Sequence, residues 1–268
     1  MKNIVVDTNV LYNGSHLRAA KDAGGIRFWG SVANVIELVS DIEDDETFRK
    51  TQSRLRVLNE ICEPELLPNL DNLILKEIGL SPDTADAGGW RSEVVAAVLG
   101  AETRSDVSLN LGLARKRRDE HSTAFRASSN EVISNALPRA NTSDEHWNVK
   151  AKPDEWSRIE KEILSLEHTI QLLLIFRIGP LLQPCDCEKV NREQLMRVAR
   201  TYWFAWQGWL IKTIRDGRKP QANDAIDLHF VLPLWREDWF LLTEDRGLLE
   251  ILALGGCPPG KLLRISDL

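Results

Sequence analysis

The chain opens on a short apolar run, Ile4-Val5-Val6, that stops at Asp7-Thr8-Asn9 and then turns apolar again. A strand buried on both faces reads as such a continuous run. From Val5 to about Asp41 the pattern predicts strand, helix, strand, helix, the opening of a parallel sheet. The second strand falls at Ile26 to Trp29, and Ser31 is placed to cap the helix after it. Glu43-Asp44-Asp45-Glu46 predicts a turn or helix start, and Leu55, Leu58 and Ile61 give Phe48 to Ile61 a helical period. Pro64, Pro68, Ser81-Pro82 and Gly88-Gly89 then break the chain into short pieces.

Helical patterns resume at Ser92 to Leu99 and over a longer polar region from Asp106 to about Ala136. A polar loop around Trp147, Asn141 to Pro153, leads into a helix cued by Pro153-Asp154-Glu155 that continues through Ile159, Ile163 and Ile170 to Ile175. After a break from Gly179-Pro180 to Cys187, another long helix spans about Asn191 to Asp216, and Gly217 to Pro220 returns the chain to the sheet. A helix around Asp224 and Asp227 should run to about Leu232 and end at Pro233. Strand Trp239 to Leu242, helix Gly247 to Leu254 and a final short strand, Leu262 to Ile265, complete the pattern. The expected fold is α/β: a three-layer α/β/α core with a central parallel sheet, made from residues 1–45 and 217–268. Residues 46–216 form a mainly helical insertion, partly packed on that core.

Candidate chemistry gathers where strands end. In open α/β sheets ligands bind at the carboxyl ends of the strands, which is where Asp7 stands. The far end of the chain repeats the arrangement, with Phe240-Leu241-Leu242 running into Thr243-Glu244-Asp245. Two more acids lie in apolar helical settings: Glu37, within Val35-Ile36-Glu37-Leu38-Val39, and Asp227, which shares a helical face with Asp224 at spacing i, i+3. A carboxylate flanked by apolar residues is rarely buried without a partner. Rings of Asp and Glu suit Mg²⁺ or Mn²⁺, which prefer hard oxygen ligands.

In this set the chain resembles the PIN-domain nucleases. The marks of that family are a strand running into DTN, an acid on the helix after the second strand, an Asp opening a late helix, and a strand running into TxD. They appear in order at Asp7, Glu37, Asp227 and Asp245, and the spacing from Asp227 to Asp245 favours Asp227 over Asp224 as the third acid. Roughly 190 residues separate Glu37 from Asp227, far more than in a compact family member, hence the expected insertion.

The resemblance implies a phosphodiesterase using one or two Mg²⁺ or Mn²⁺ ions, most often an RNA endonuclease leaving 5′-phosphate and 3′-hydroxyl ends. Its biological setting would be toxin-like, RNA-processing or defensive, with a protein inhibitor or antitoxin and a homodimer as candidate partners. Two divalent ions roughly 4 Å apart activate water and stabilise the developing charge. Asp7 and Asp245 would be the rigid ligands and Glu37 and Asp227 would complete the ring. Asp224 is either an extra ligand or an N-terminal helix acid favoured by the dipole. Thr8, Asn9 and Thr243 fit the orientation of carboxylates or water. The rival readings are a structure-specific or single-strand DNA nuclease and a non-catalytic RNA-binding or scaffold protein. A phospho-aspartyl enzyme ranks lower, because Asp7-Thr8-Asn9 lacks the second Asp two positions on.

Composition adjusts this picture modestly. The net charge of −6 argues against a broad basic footprint, although a cluster of acids at one site would be matched by cations. The dense basic run Arg115-Lys116-Arg117-Arg118 is either a solvated helix face or a patch that tracks phosphates. Tyr202, Trp203, Trp206 and Trp209 form a stripe that reads as core packing first and as a base-stacking platform second. The four cysteines, including Cys185-Asp186-Cys187, show no zinc spacing, nor do the five histidines. No secretory pattern stands at Met1 to Leu11, and Ile170 to Leu182 is too short and too interrupted to span a bilayer. A cytoplasmic protein without membrane contact is the expectation.

Overall fold

In the computed structural model, residues 1–68, 70–80, 89–107, 110–163, 190–221 and 223–268 are described. The first strand, β1 (Lys2–Val6), lies in the middle of a four-stranded sheet. It pairs on one side with β2 (Ile26–Trp29) and on the other with β3 (Trp239–Leu242), beyond which lies β4 (Leu262–Leu263). Every pairing is parallel, with Val5 opposite Trp29 and Val6 opposite Leu242. The order β2-β1-β3-β4 means that the chain first steps to one side of β1 and much later returns to the other.

An all-parallel sheet must be covered on both faces, and the alternation of side chains along β1 does this. Ile4 and Val6 join Phe28 and Leu242 in one apolar cluster with Leu17, Phe48, Leu55 and Leu58. These come from α1 (Gly14–Asp22) and α3 (Asp45–Ile61). Val5 points the other way and joins Leu241 in a second cluster with Phe125, Ile133, Trp209 and Leu248. Those residues belong to α6 (Gly112–Ala136), α8 (Arg192–Asp216) and α10 (Arg246–Leu254), so the middle of the chain shares a core with both ends. The α2 helix (Val32–Ser40) feeds both clusters, and Glu37 is its one position not fully buried. Ser31 caps α2 as expected, in a reciprocal box with Asn34.

The shorter helices are α4 (Leu70–Glu77), α5 (Gly89–Gly100), α7 (Trp156–Ile163) and α9 (Asp224–Asp227). Three expectations need correction. The long polar helix starts at Gly112, not near Asp106, where a separate 3₁₀ turn spans Arg104–Asp106. Pro233 does not end the segment after Asp227: a 3₁₀ helix runs from Leu228 to Trp235 straight through it. Burial of that segment against α8 overrides the missing N–H, and the hydroxyl of Thr201 donates to the Leu232 carbonyl at 3.1 Å. The last strand is only Leu262–Leu263, because Asp267 accepts the Arg264 amide at 2.7 Å and turns the chain into a short 3₁₀ helix.

The aromatic stripe on α8 is core. Tyr202, Trp203, Trp206 and Trp209 are all buried, Trp206 donates to Ser129 Oγ at 3.0 Å, and Phe125 packs edge-on to Trp209 at 4.7 Å. Base stacking by this stripe is thereby set aside. Cys62 and Cys257 are buried free thiols, while Cys185-Asp186-Cys187 and the apolar run Ile170 to Leu182 lie outside the described residues. No described helix is long and apolar enough to cross a membrane.

The crossing of α8 and α10 is made by backbone against backbone. A Cβ on Gly208 would overlap the Ile251 carbonyl, and one on Gly255 would overlap the Phe204 carbonyl. Gly208→Ala must therefore push the two helices apart, with an expected cost of about 1–3 kcal/mol. Chemical denaturation should show the midpoint falling, whereas Gly260→Ala, with open space around it, should leave the midpoint within error.

Candidate active site

The parallel register sets the carboxyl ends of β1 and β3 side by side, and the Asp7 amide donates to the Leu242 carbonyl at 3.0 Å. This is the point at which strand order reverses, the usual ligand crevice of an open sheet. Asp7 is 4% exposed. Its Oδ2 accepts two short bonds, each 2.6 Å, from Asn9 Nδ2 and from the Thr243 hydroxyl. Asn9 reaches back across the gap, its Oδ1 accepting the Glu244 amide at 3.0 Å. Thr243 Oγ1 in turn accepts the Asp245 amide at 3.0 Å. The three residues read from sequence as orienting groups thus include two, Asn9 and Thr243, that stitch the two strand ends together around one carboxylate.

Asp245 caps α10, with Oδ1 accepting from Gly247 N at 2.6 Å and Leu248 N at 3.0 Å. Its Oδ2 has no such bond among the described residues. Glu37 faces the same crevice from α2, and its Oε2 is buried without a hydrogen-bond partner. Thr8, the third of the orienting residues, bonds Glu37, and Asn34 Nδ2 holds Thr8 Oγ1 and the Val6 carbonyl, each at 3.1 Å. Asn34, fully buried, is a residue that sequence reasoning missed. Its position as the third residue of the Ser31 capping box was legible, but its contact with β1 was not.

Electrostatics bind the four acids into one group. Desolvation is the largest cause for each shifted member, and mutual repulsion adds to it. Asp7 is raised to about 6, by burial first and by Asp245 among its neighbours, against the lowering effect of Thr243. Glu37 is raised to about 7 by burial and then by Asp7, with Thr8 and Arg118 partly offsetting. Asp227 is raised well above the ordinary range by burial and then by Glu37, Asp7, Asp245 and Asp224 in turn. Like charges this close can all be ionised only beside cations.

No protein-family model, no curated protein and no solved structure matches this chain.

Asp224 takes a different part. Both of its oxygens are engaged, Oδ1 by Arg218 Nη2 at 2.6 Å and Oδ2 by the Gln221 amide at 2.7 Å, and it is 4% exposed. The structure makes it an ion-paired acid at the start of α9, a role beyond the two read from sequence.

The basic run on α6 also differs from expectation. Arg115 donates to the Ser40 carbonyl at 3.3 and 3.4 Å, and Arg118 donates to Ser40 Oγ at 3.0 Å and Asp41 Oδ1 at 2.9 Å. Both clasp the C-terminus of α2, where a cation is favoured by the helix dipole. Lys116 stands 3.8 Å from Glu120 on its own helix, and Arg117 also has a partner. Two of its four members, Arg115 and Arg118, thus fasten α6 to α2 one turn beyond Glu37, while Lys116 is exposed.

Among the described residues, no three His, Cys, Asp or Glu side chains are already drawn around one point at ligating distance. The donor set nevertheless fits a hard divalent cation. It offers carboxylate oxygens only, one of them a buried atom without a partner, and its members repel one another. A 900 Å³ cavity lined by Leu55, Leu58, Leu66, Val95 and Leu99 includes none of the four acids.

Stability should report this charge arrangement directly. Asp7 and Glu37 hold their protons more tightly in the folded chain, at about 6 and about 7, than in an open chain near 4. The stability they contribute is thus complete below about pH 4 and is lost as pH rises through 6 to 7. In EDTA, Asp7→Asn should raise Tm over wild type by about 5 °C at pH 8 and by much less at pH 4.5. Mn²⁺ should raise the wild-type Tm at pH 8 and leave the variant nearly unmoved. A variant advantage equal at both pH values would overturn the charge-repulsion account.

Proposed function

We propose that this chain is a Mg²⁺- or Mn²⁺-dependent nuclease of the PIN type, with RNA as its substrate and endonucleolytic hydrolysis as its reaction. The observation that carries this reading is the convergence of Asp7, Glu37, Asp227 and Asp245 at the carboxyl ends of β1 and β3, in one another's field. The two apolar clusters on opposite faces of the sheet support the three-layer arrangement that such an enzyme would have. Residues 1–45 and 217–268 then make the nuclease core, and residues 46–216 are an insertion that packs against it.

Asp7, Glu37, Asp227 and Asp245 would hold the metal. Bound there, a divalent ion supplies a nucleophilic water at neutral pH and charge stabilisation for the phosphoryl oxygens. The protein's own contribution is orientation. Asn9 and Thr243 hold Asp7 by the same oxygen, Oδ2, which directs Oδ1 to any ligand. Asp245 is held by the α10 amides through Oδ1, so Oδ2 is its free oxygen. Glu37 presents its unpartnered Oε2 from a helix otherwise buried all along its length. Thr8, held by Asn34, favours the charged form of Glu37. Pre-organised carboxylates of this kind reduce what must be rearranged when the transition state forms. The enzyme would act in the cytoplasm, with an inhibitory protein or a second copy of the chain as its candidate partners.

The test is cleavage of labelled RNA and labelled single-stranded DNA in Mg²⁺, Mn²⁺ and EDTA. RNA should be cut in either metal and spared in EDTA. Asp7→Asn and Asp227→Asn should each cut at least about 100-fold more slowly, the scale on which loss of one electrostatic transition-state group is felt. Asp224→Asn, which loses an ion pair and no ligand, should cost far less than Asp227→Asn. Preferential cutting of DNA would change the substrate assignment. Cleavage that persists in EDTA, or absence of both cleavage and calorimetric Mn²⁺ binding, would sink the reading.

A further inference from the structure

The first turn beyond the acid cluster carries a pair of residues that the core does not need. Asp7 is followed by a 3₁₀ helix, Thr8–Asn13. In a 3₁₀ helix side chains at i and i+3 eclipse, one turn and about 6 Å apart. Asn9 is the residue of this helix that reaches Asp7 and Thr243, and Tyr12 follows it by one 3₁₀ turn. Val10 and Leu11 are buried in the core, but Tyr12 is 66% exposed, and apart from Met1 it is the one large apolar side chain so exposed among the described residues. The ring is therefore available to a stacking partner.

One face of the Tyr12 ring is already covered. The guanidinium of Arg54, from α3, lies over it at 3.8 Å from the ring centroid. Its Nε is buried and bonded to nothing, and no carboxylate pairs with Arg54 among the described residues. A cation stacked on an aromatic face is common enough. A cation stacked there without an acidic partner is a local positive spot in a chain of net charge −6. The exposed area of Tyr12 leaves the opposite face of the ring open.

We propose that Tyr12 and Arg54 form a nucleotide seat at the rim of the acid cluster, in which a base of single-stranded nucleic acid stacks on the open face of Tyr12 and Arg54 receives a backbone phosphate. The seat rests on the nuclease reading for its purpose, since it would hold a strand so that the neighbouring phosphate reaches the carboxylates. Its chemistry accounts for how an acidic protein engages a polyanion: by one aromatic face and one unneutralised guanidinium, not by a broad basic surface. Stacking tolerates any base, because every base has a π-face. The seat therefore selects unpaired strands over duplexes, and does not select a sequence.

The experiment is binding of short fluorescein-labelled single-stranded RNA and DNA to the full chain in EDTA, followed by anisotropy, with 2-aminopurine oligonucleotides reporting stacking. Tyr12→Ala should weaken binding by about tenfold and abolish the 2-aminopurine quenching, and Tyr12→Phe and Tyr12→Trp should retain both. Arg54→Ala should weaken binding and lower the slope of log affinity against log salt by about one. Calorimetric Mn²⁺ binding should be the same in Tyr12→Ala as in wild type, showing an intact fold and acid cluster. Wild-type affinity in Tyr12→Ala would overturn the seat, as would a Tyr12→Phe variant as weak as Tyr12→Ala. The two readings fail separately. Stacking at Tyr12 without any metal-dependent cleavage would overturn the nuclease and keep the seat, while cleavage indifferent to Tyr12 would overturn the seat and keep the nuclease.

Discussion

Everything at the crevice depends on β1 lying between β2 and β3. A strand made from the first residues of the chain is flanked on one side by its immediate successor and on the other by a strand more than 200 residues later. The pairing of Val6 with Leu242 sets the separation of Asp7 from Thr243, and the short bond between their side chains holds it. Register matters because side chains alternate: a slip of one residue would move Ile4 and Val6 to the wrong apolar cluster and turn Asp7 away from the crevice. The packing of both faces therefore specifies the site as strongly as it specifies the fold.

The acids at that crevice form a local frustration within an otherwise consistent structure. Hydrogen bonds from Thr243, Asn9 and Thr8 favour the charged forms of Asp7 and Glu37, yet burial and mutual repulsion outweigh them and push both groups upward. Asp227 receives the repulsion of every other member. Elsewhere buried acids are neutralised, as Asp224 is by Arg218 and the Gln221 amide. The contrast between Asp224 and Asp227, three residues apart on one short helix, is the clearest physical sign of specialisation. One acid is ion-paired within the protein, and the other is buried among like charges.

The middle of the chain does more than fill space beside this crevice. Arg115 and Arg118 anchor α6 to the end of α2, and Arg118 also moderates the charge of Glu37. The tryptophans of α8 complete the apolar cluster beneath β1 and β3. Two arginines of the basic run and the aromatic stripe thus hold helices in place. The exposed aromatic ring near the crevice is Tyr12, on the short 3₁₀ helix after β1, with Arg54 stacked on it.

The sequence by itself determined the elements and the candidate acids. The strands at Ile4 to Val6, Ile26 to Trp29 and Trp239 to Leu242 are short apolar runs ended by polar residues, and the Ser31 cap follows from local hydrogen bonding. Both depend on neighbours in sequence, so both were legible. Tertiary structure alone decided the rest. Whether Asp224 or Asp227 is free depends on Arg218 folding back onto one of them. Whether Arg115 and Arg118 face solvent depends on where the end of α2 lies, and whether Pro233 breaks a helix depends on how deeply that segment is buried against α8. Asn34, which reaches from a helix cap to the end of β1, could not be found from spacing at all, because its partners at Val6 and Thr8 are brought to it only by the packing of α2 on the sheet. Side-chain roles are set by which groups meet in space, and periodicity along the chain carries no information about the charges and carbonyls that a distant segment will bring.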